Sequence, residues 1–200
     1  MLTVAIQAGG ESRRMGRDKA LIPFLGRPLI ERVISRVEHL ADEILVTTNC
    51  PQDYQFLGLP LFPDVVPDRG ALGGLYTAVN AARQPLVAVV ACDMPFVQPE
   101  LIAYERDLLL DATIDAAIPK TEGGTEPFHA VYRRDTCLPE IFSAIKAERW
   151  RVDSWFSRAQ IYYLSTQEIN QYDPRGLAFN NVNTPEELAA AEQTAAEDLQ

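Results

Sequence analysis

The chain has 200 residues, 47% apolar and 23% charged, enough to bury one sizeable core, and it reads as a single domain over 1–200. A net charge of −10 argues against general binding to nucleic acid or to an anionic membrane, both of which need a broad basic face. Cys50, Cys92 and Cys137 are odd in number and form no CxxC pair, so they read as free thiols in a reducing, cytoplasmic setting. No apolar run is long enough to span a bilayer. Arg13-Arg14 lacks the uninterrupted apolar region that an export signal places after such a pair.

Leu2 to Gln7 is short, apolar and followed by glycines, the pattern of a buried strand. It empties into "AGGESRRMGRDKAL", which collects Gly9, Gly10 and Gly16 with Arg13, Arg14, Arg17 and Lys19 in an otherwise acidic chain. Successive backbone N–H groups in a glycine-permitted turn form a concave nest for an anion. Arg14, as a fork, and Lys19, as a point charge, can then supply countercharge to phosphate oxygens. The spacing fits neither GxxxxGK[ST] nor GxGxxG. A solvated turn is the plainer alternative, but the whole string favours the anion cradle.

The next pattern, "LIERVISRVEHL", puts Leu29, Ile30, Val33, Ile34, Val37 and Leu40 on one helical face, with Pro28 at the first turn. Residues 43–49 predict a second strand, and "LPLFPD" a third extended piece ending in Asp64. That carboxylate suits either a second metal contact or a contact to a base or sugar. A loop, "VPDRG", leads to a helix over 70–83. Its early Gly70, Gly73 and Gly74 either admit a ligand closely or ease helix packing. "LVAVVACDMPF" is the most apolar strand, a continuous run suited to a parallel sheet covered on both faces.

That strand ends in Cys92-Asp93. An ionised Asp at such a point is a natural Mg²⁺ ligand, because magnesium takes one or two carboxylates and fills its other positions with water and phosphates. The alternative is an Asp that caps the turn before Pro95. Beside the cationic loop the metal role is favoured, with Cys92 as a small core residue.

Beyond it the pattern predicts a helix from Pro99 to about Leu110, a strand over 114–119 and a mobile loop at "KTEGGTE". An extended segment over 127–134 turns back and is followed by a helix over 135–148. His129 reads as a satisfied core histidine, not a metal ligand. Arg151, among Trp150, Trp155 and Phe156, is an anion clamp beside an aromatic wall or an ordinary amphipathic turn. Asn180, Asn181 and Asn183 precede the last helix; such amides read polar groups of a ligand, though Asn183 equally serves the turn. Thr184 is the N-cap of that helix and Glu187 completes a capping box.

Strands alternating with helices predict an α/β fold wound by right-handed crossovers, with ligands gathered beyond the carboxyl ends of the strands. Taken together, these motifs resemble the molybdenum cofactor guanylyltransferase family over nearly the full length. "AGGESRRMGRDKAL" is similar to the family's nucleotide loop, "VVPDRGALGG" to its second loop, "CDMPF" to its metal strand, "PFHAVYR" to a downstream strand and "FNNVNTPEEL" to its closing motif. The resemblance implies a single-domain, three-layer α/β/α sandwich with a mostly parallel sheet, a Rossmann-like nucleotidyltransferase fold. In it, about 1–110 would bind nucleotide and about 111–200 would lie on the pterin-substrate side.

The resemblance further implies transfer of GMP from GTP to Mo-molybdopterin with release of pyrophosphate. Gln7, Ala8, Gly9 and Gly10 would line the GTP site, and Arg14 and Lys19 would lie on its phosphates. Thr47 and Asp64 would contact the guanosine portion, and Asp93 would hold Mg²⁺. Arg151, Asn181 and Asn183 would lie toward the pterin. Molybdenum-insertion and acceptor molybdoenzyme proteins would be the protein partners. Gln7, Thr47 and Ala71 stand where the family usually has leucine, asparagine and proline; the first two fall near the base and ribose. The rival readings are a cytidylyltransferase on the same pterin, a relative acting on a sugar or alcohol phosphate, and a non-catalytic nucleotide- or molybdopterin-binding module. A nicotinamide oxidoreductase is a distant further alternative, because the fingerprint is missing.

Overall fold

Alternation along the first strand, β1 (Leu2–Gln7), sets the layering. Leu2, Val4 and Ile6 join one apolar cluster, whereas Ala5 joins the other, as a two-residue side-chain period requires. The structure is a computed structural model that describes residues 1–8, 18–111 and 113–197. After β1 come a small hairpin of β2 (Pro23–Phe24) and β3 (Arg27–Pro28), then α1 (Leu29–Val37) and β4 (Glu43–Thr47). β5 (Leu61–Phe62), α2 (Gly70–Ala81), β6 (Leu86–Ala91) and α3 (Pro99–Leu108) complete the first half. The second half holds β7 (Ala116–Thr121), β8 (Gly124–Thr125), β9 (His129–Arg133), α4 (Arg134–Lys146), β10 (Ile161–Leu164), α5 (Thr166–Tyr172) and α6 (Pro185–Glu197).

The main sheet runs β10-β7-β9-β6-β1-β4-β5, with β8 attached to β7. β1 pairs in parallel with β4 and β6, as β4 does with β5 and β7 with β10. β9 enters between β6 and β7 antiparallel to both, the turning back expected of residues 127–134. On one face Ile30 and Val33 of α1, Leu101 and Ile102 of α3 and Ile169 of α5 pack against Val4, Ile6, Val46 and Val90. On the other, Leu72 and Leu75 of α2 and Ile141 and Ala144 of α4 pack against Ala5, Leu45, Val87 and Val89. The expected three-layer α/β/α sandwich with a mostly parallel sheet is therefore present.

Burial explains why α1 forms. Its nine residues would be marginal as an isolated helix, but Leu29, Ile30, Val33 and Val37 are fully buried, each contributing about 1.5–3 kcal/mol. A smaller cluster of Phe24, Leu29, Phe96, Val182, Ala191 and Ala195 joins α6 and the hairpin to the body.

Several boundaries differ from expectation. β4 ends at Thr47 and β6 at Ala91, so Asp93 lies in a turn beyond its strand. "KTEGGTE" forms the β7–β8 hairpin instead of an open loop: Thr121 Oγ1 donates to Gly124 O and accepts from Gly123 N, with Gly124 at φ +131°. β10 and α5 were not foreseen. The capping box of α6 is formed as expected: Glu187 N donates to Thr184 Oγ1 and Thr184 N to Glu187 Oε2.

Candidate active site

Parallel pairing puts Gln7 level with both Thr47 and Ala91, so the segments leaving β1, β4 and β6 emerge side by side. Lys19 reaches this edge from a single 3₁₀ turn, Lys19–Leu21, which Asp18 caps by accepting from Ala20 N at 3.1 Å. The other Asp18 oxygen accepts from the Tyr54 hydroxyl at 2.6 Å, tying the turn to the segment after β4. Lys19 Nζ lies 3.5 Å from Asp93 Oδ2 and donates to Asn183 Oδ1 at 2.5 Å. Three residues expected from separate motifs thus meet at one point, 74 and 164 positions from Lys19 along the chain.

The segment bearing Asp93 is held along its length. Cys92 N donates to Gln7 O, and Asp93 O accepts from Val182 N at 2.9 Å. From α1, Arg32 Nε and Arg36 Nε donate to Pro95 O and Val97 O at 3.3 and 2.6 Å. Burial raises the Asp93 carboxyl above its usual range, and Lys19, by charge and hydrogen bond, pulls it back. Burial also pushes the Cys92 thiol well up, so Asp93 has a neutral neighbour, not a nucleophilic thiolate. Asn183 is fixed by its backbone, whose N–H donates to Glu187 Oε2 at 2.6 Å.

Gln7 and Thr47 stand side by side on the α2 face. Gln7 Oε1 and Thr47 Oγ1 are buried with no hydrogen bond among the described residues. Each such group costs about 1–3 kcal/mol unless something satisfies it. Gly74 leaves room for the Gln7 amide, since a methyl there would overlap it. Ala8 contributes its backbone N–H, which donates to Thr47 O at 2.9 Å. Asp64 is held by Asn49, which donates from Nδ2 to Asp64 Oδ2 at 2.9 Å and accepts from Asp64 N at 3.0 Å.

Next to the Lys19 cluster, a cavity of about 470 Å³ is lined by Phe96, Phe179, Asn180, Asn181, Asn183 and Glu187, among others. Arg151 stands apart: its exposed fork pairs with Asp153 at 3.0 and 2.7 Å. Gly9, Gly10 and Arg14 lie outside the described residues. His129 is fully buried and bonded, as expected of a core histidine. Sequence reasoning missed Asn49 as the holder of Asp64 and Asp18 as the holder of the Lys19 turn. The second carried a signal, an Asp at the N-cap position immediately before Lys19.

The family model described as "MobA-like NTP transferase domain" matches residues 4–159. A probable molybdenum cofactor guanylyltransferase of Natronomonas pharaonis is 36% identical over 200 aligned residues, covering 96% of each chain. A molybdenum cofactor guanylyltransferase of Desulfosudis oleivorans is 33% identical, over 96% of this chain and 94% of that one. Among solved structures, molybdopterin-guanine dinucleotide biosynthesis protein A from Archaeoglobus fulgidus superposes with a TM-score of 0.84 at 26% identity, over 98% of this chain and 99% of the other. With a matching domain over more than half its length and relatives of this identity, the chain belongs to the MobA-like NTP transferase domain family.

Proposed function

We infer that the chain is a guanylyltransferase that transfers GMP from GTP to Mo-molybdopterin, forming molybdopterin guanine dinucleotide and releasing pyrophosphate. The observation that carries this reading is the meeting of Lys19, Asp93 and Asn183 at the carboxyl edge of the sheet, in a chain whose relatives bear that activity in their names. A terminal phosphate oxygen of the pterin attacks the α-phosphorus in line. A new P–O bond forms as the bond from that phosphorus to the β-bridging oxygen breaks, and pyrophosphate leaves with the electron pair. The attacking phosphate is ionised at neutral pH, so no strong general base is required. The protein contributes position and countercharge.

In this reading Arg14 and Lys19 lie on the phosphates, Gln7, Ala8, Gly9 and Gly10 line the nucleotide, and Thr47 and Asp64 face the guanosine. The Gln7 and Thr47 oxygens, without a partner among the described residues, support this, since a nucleoside offers donors to both. Asp93 would hold Mg²⁺. An oxygen donor whose ionised form is disfavoured by burial fits a hard dication, and one protein carboxylate is enough for magnesium. When bound, the ion would neutralise charge on the triphosphate.

Asn181 and Asn183 line the cavity beside Lys19, which supports placing the pterin there. Arg151 would join the pterin by exchanging Asp153 for a phosphate oxygen. The free state of Cys50, Cys92 and Cys137 supports a cytoplasmic setting, where molybdenum-insertion and acceptor molybdoenzyme proteins would be the partners. The test is purified protein with Mo-molybdopterin, Mg²⁺ and either GTP or CTP, read by pyrophosphate release and product mass. Pyrophosphate and a pterin–GMP mass with GTP are expected. Turnover confined to CTP, or GTP binding without pyrophosphate, would overturn the reading.

A further inference from the structure

The turn that carries Asp93 closes on a buried histidine. Gln98 N donates to His129 Nε2 at 3.3 Å, and His129 Nδ1 lies 3.1 Å from Glu105 Oε1. Both side chains are fully buried, His129 at the start of β9 and Glu105 on α3. A neutral imidazole has one N–H and one lone pair. Because Nε2 accepts from Gln98, the hydrogen must sit on Nδ1, where the Glu105 oxygen takes it. Glu105 therefore selects the tautomer, and the tautomer decides whether the Gln98 amide is held. The same ring meets Phe179 edge-on, 5.1 Å between centroids, at the head of the "FNNVN" segment that delivers Asn183.

Among the described contacts of residues 92–98, the other ties run to backbone carbonyls or come from Arg32, Arg36 and Lys19, and none depends on a tautomer. Glu105 has a second oxygen, Oε2, with no hydrogen-bond partner among the described residues. Burial lifts its carboxyl to about 7, only partly offset by His129.

We propose that His129 is a positioning residue for the nucleotide reaction, holding the Asp93 turn through the Gln98 amide, with Glu105 setting its tautomer. The proposal rests on the reading of Asp93 as a group that meets the nucleotide. Its test uses two substitutions that place an amide oxygen at different depths. His129→Gln reaches the level of Nε2 and keeps an acceptor for Gln98; His129→Asn reaches only the level of Nδ1 and does not.

With GTP and pterin, His129→Asn should lower kcat about tenfold, the worth of about one hydrogen bond, with KM for GTP changed less than twofold. His129→Gln should recover kcat to within threefold of the parent. Hydrogen exchange at the Gln98 amide, followed without metal or nucleotide, should quicken about tenfold in the Asn variant only. Equal losses in both variants that follow their melting temperatures, or no loss in either, would overturn the proposal. Should the parent itself release no pyrophosphate, the guanylyl reading fails, and the Gln98 exchange rates still decide the positioning claim. Ring-nitrogen spectra of the unsubstituted protein, which has only two histidines, give a check that no folding defect can spoil. Nδ1–H is expected for His129, and Nε2–H would contradict it.

Discussion

A hydrogen in place of a methyl at Gly74 decides where the Gln7 amide lies. Gly74 is on the buried side of α2, where alanine would ordinarily favour the helix by about 1 kcal/mol. The overlap with the end of the Gln7 side chain works against that preference. Gly74→Ala alone should raise KM for GTP, because the Gln7 amide is driven from its place beside Thr47. Adding Gln7→Ala removes the obstacle, so the double variant should melt above Gly74→Ala. Thermal unfolding and GTP titration of the four proteins of that cycle check this; additive stability losses would count against the packing described. None of this was visible in "VAIQAGG" or "GALGG" taken singly. Gly74 read equally as ligand access or helix packing, and only the fold sets it against Gln7. Lys19 and Asp93 were legible, because a cation and a carboxylate just beyond apolar strands point to one sheet edge. Asn49 was not, since its bond to Asp64 depends on how two loops turn.

At the scale of elements, α3 and β9 are joined by a polar pair inside an apolar layer, and that choice has a pH signature. The folded Glu105 carboxyl sits at about 7 against an ordinary value of 4.5, so the native state keeps a proton that the unfolded chain has lost between those values. Stability therefore falls as pH rises from about 4.5 to 7, by roughly 3 kcal/mol for this group at the upper end. Glu105→Gln, which still offers an oxygen to His129 Nδ1, should lose this dependence. Its melting temperature should gain on the parent between pH 5 and pH 8, and parallel pH curves would refute the assignment.

The elements themselves were unevenly legible. β1, α1 and β6 declare themselves by period and run length. β10 and α5 lie in "IYYLSTQEINQY", where a four-residue edge strand and a seven-residue helix give little periodicity. The Ser165–Glu168 capping box was their one clear local signal. The β7–β8 hairpin was hidden by its two glycines, which serve a hairpin as well as an open loop.

For the whole molecule, Lys19, Asp93 and Asn183, far apart along the chain, meet at one edge of the sheet. The doubly covered sheet supplies the rigid edge, and α6, joined through the cluster around Phe96 and Val182, brings Asn183 to the same point. If Lys19 and Asp93 act on one triphosphate, their contributions cannot be independent. The deciding measurement is kcat/KM for GTP in Lys19→Ala, Asp93→Ala and the double variant, each shown to be folded. Each single change should cost about a hundred- to a thousandfold, by analogy with other electrostatic contacts to a transition state, and the double variant should be little worse than the poorer single. Losses that multiply, or near-parental turnover by Asp93→Ala, would contradict a shared site.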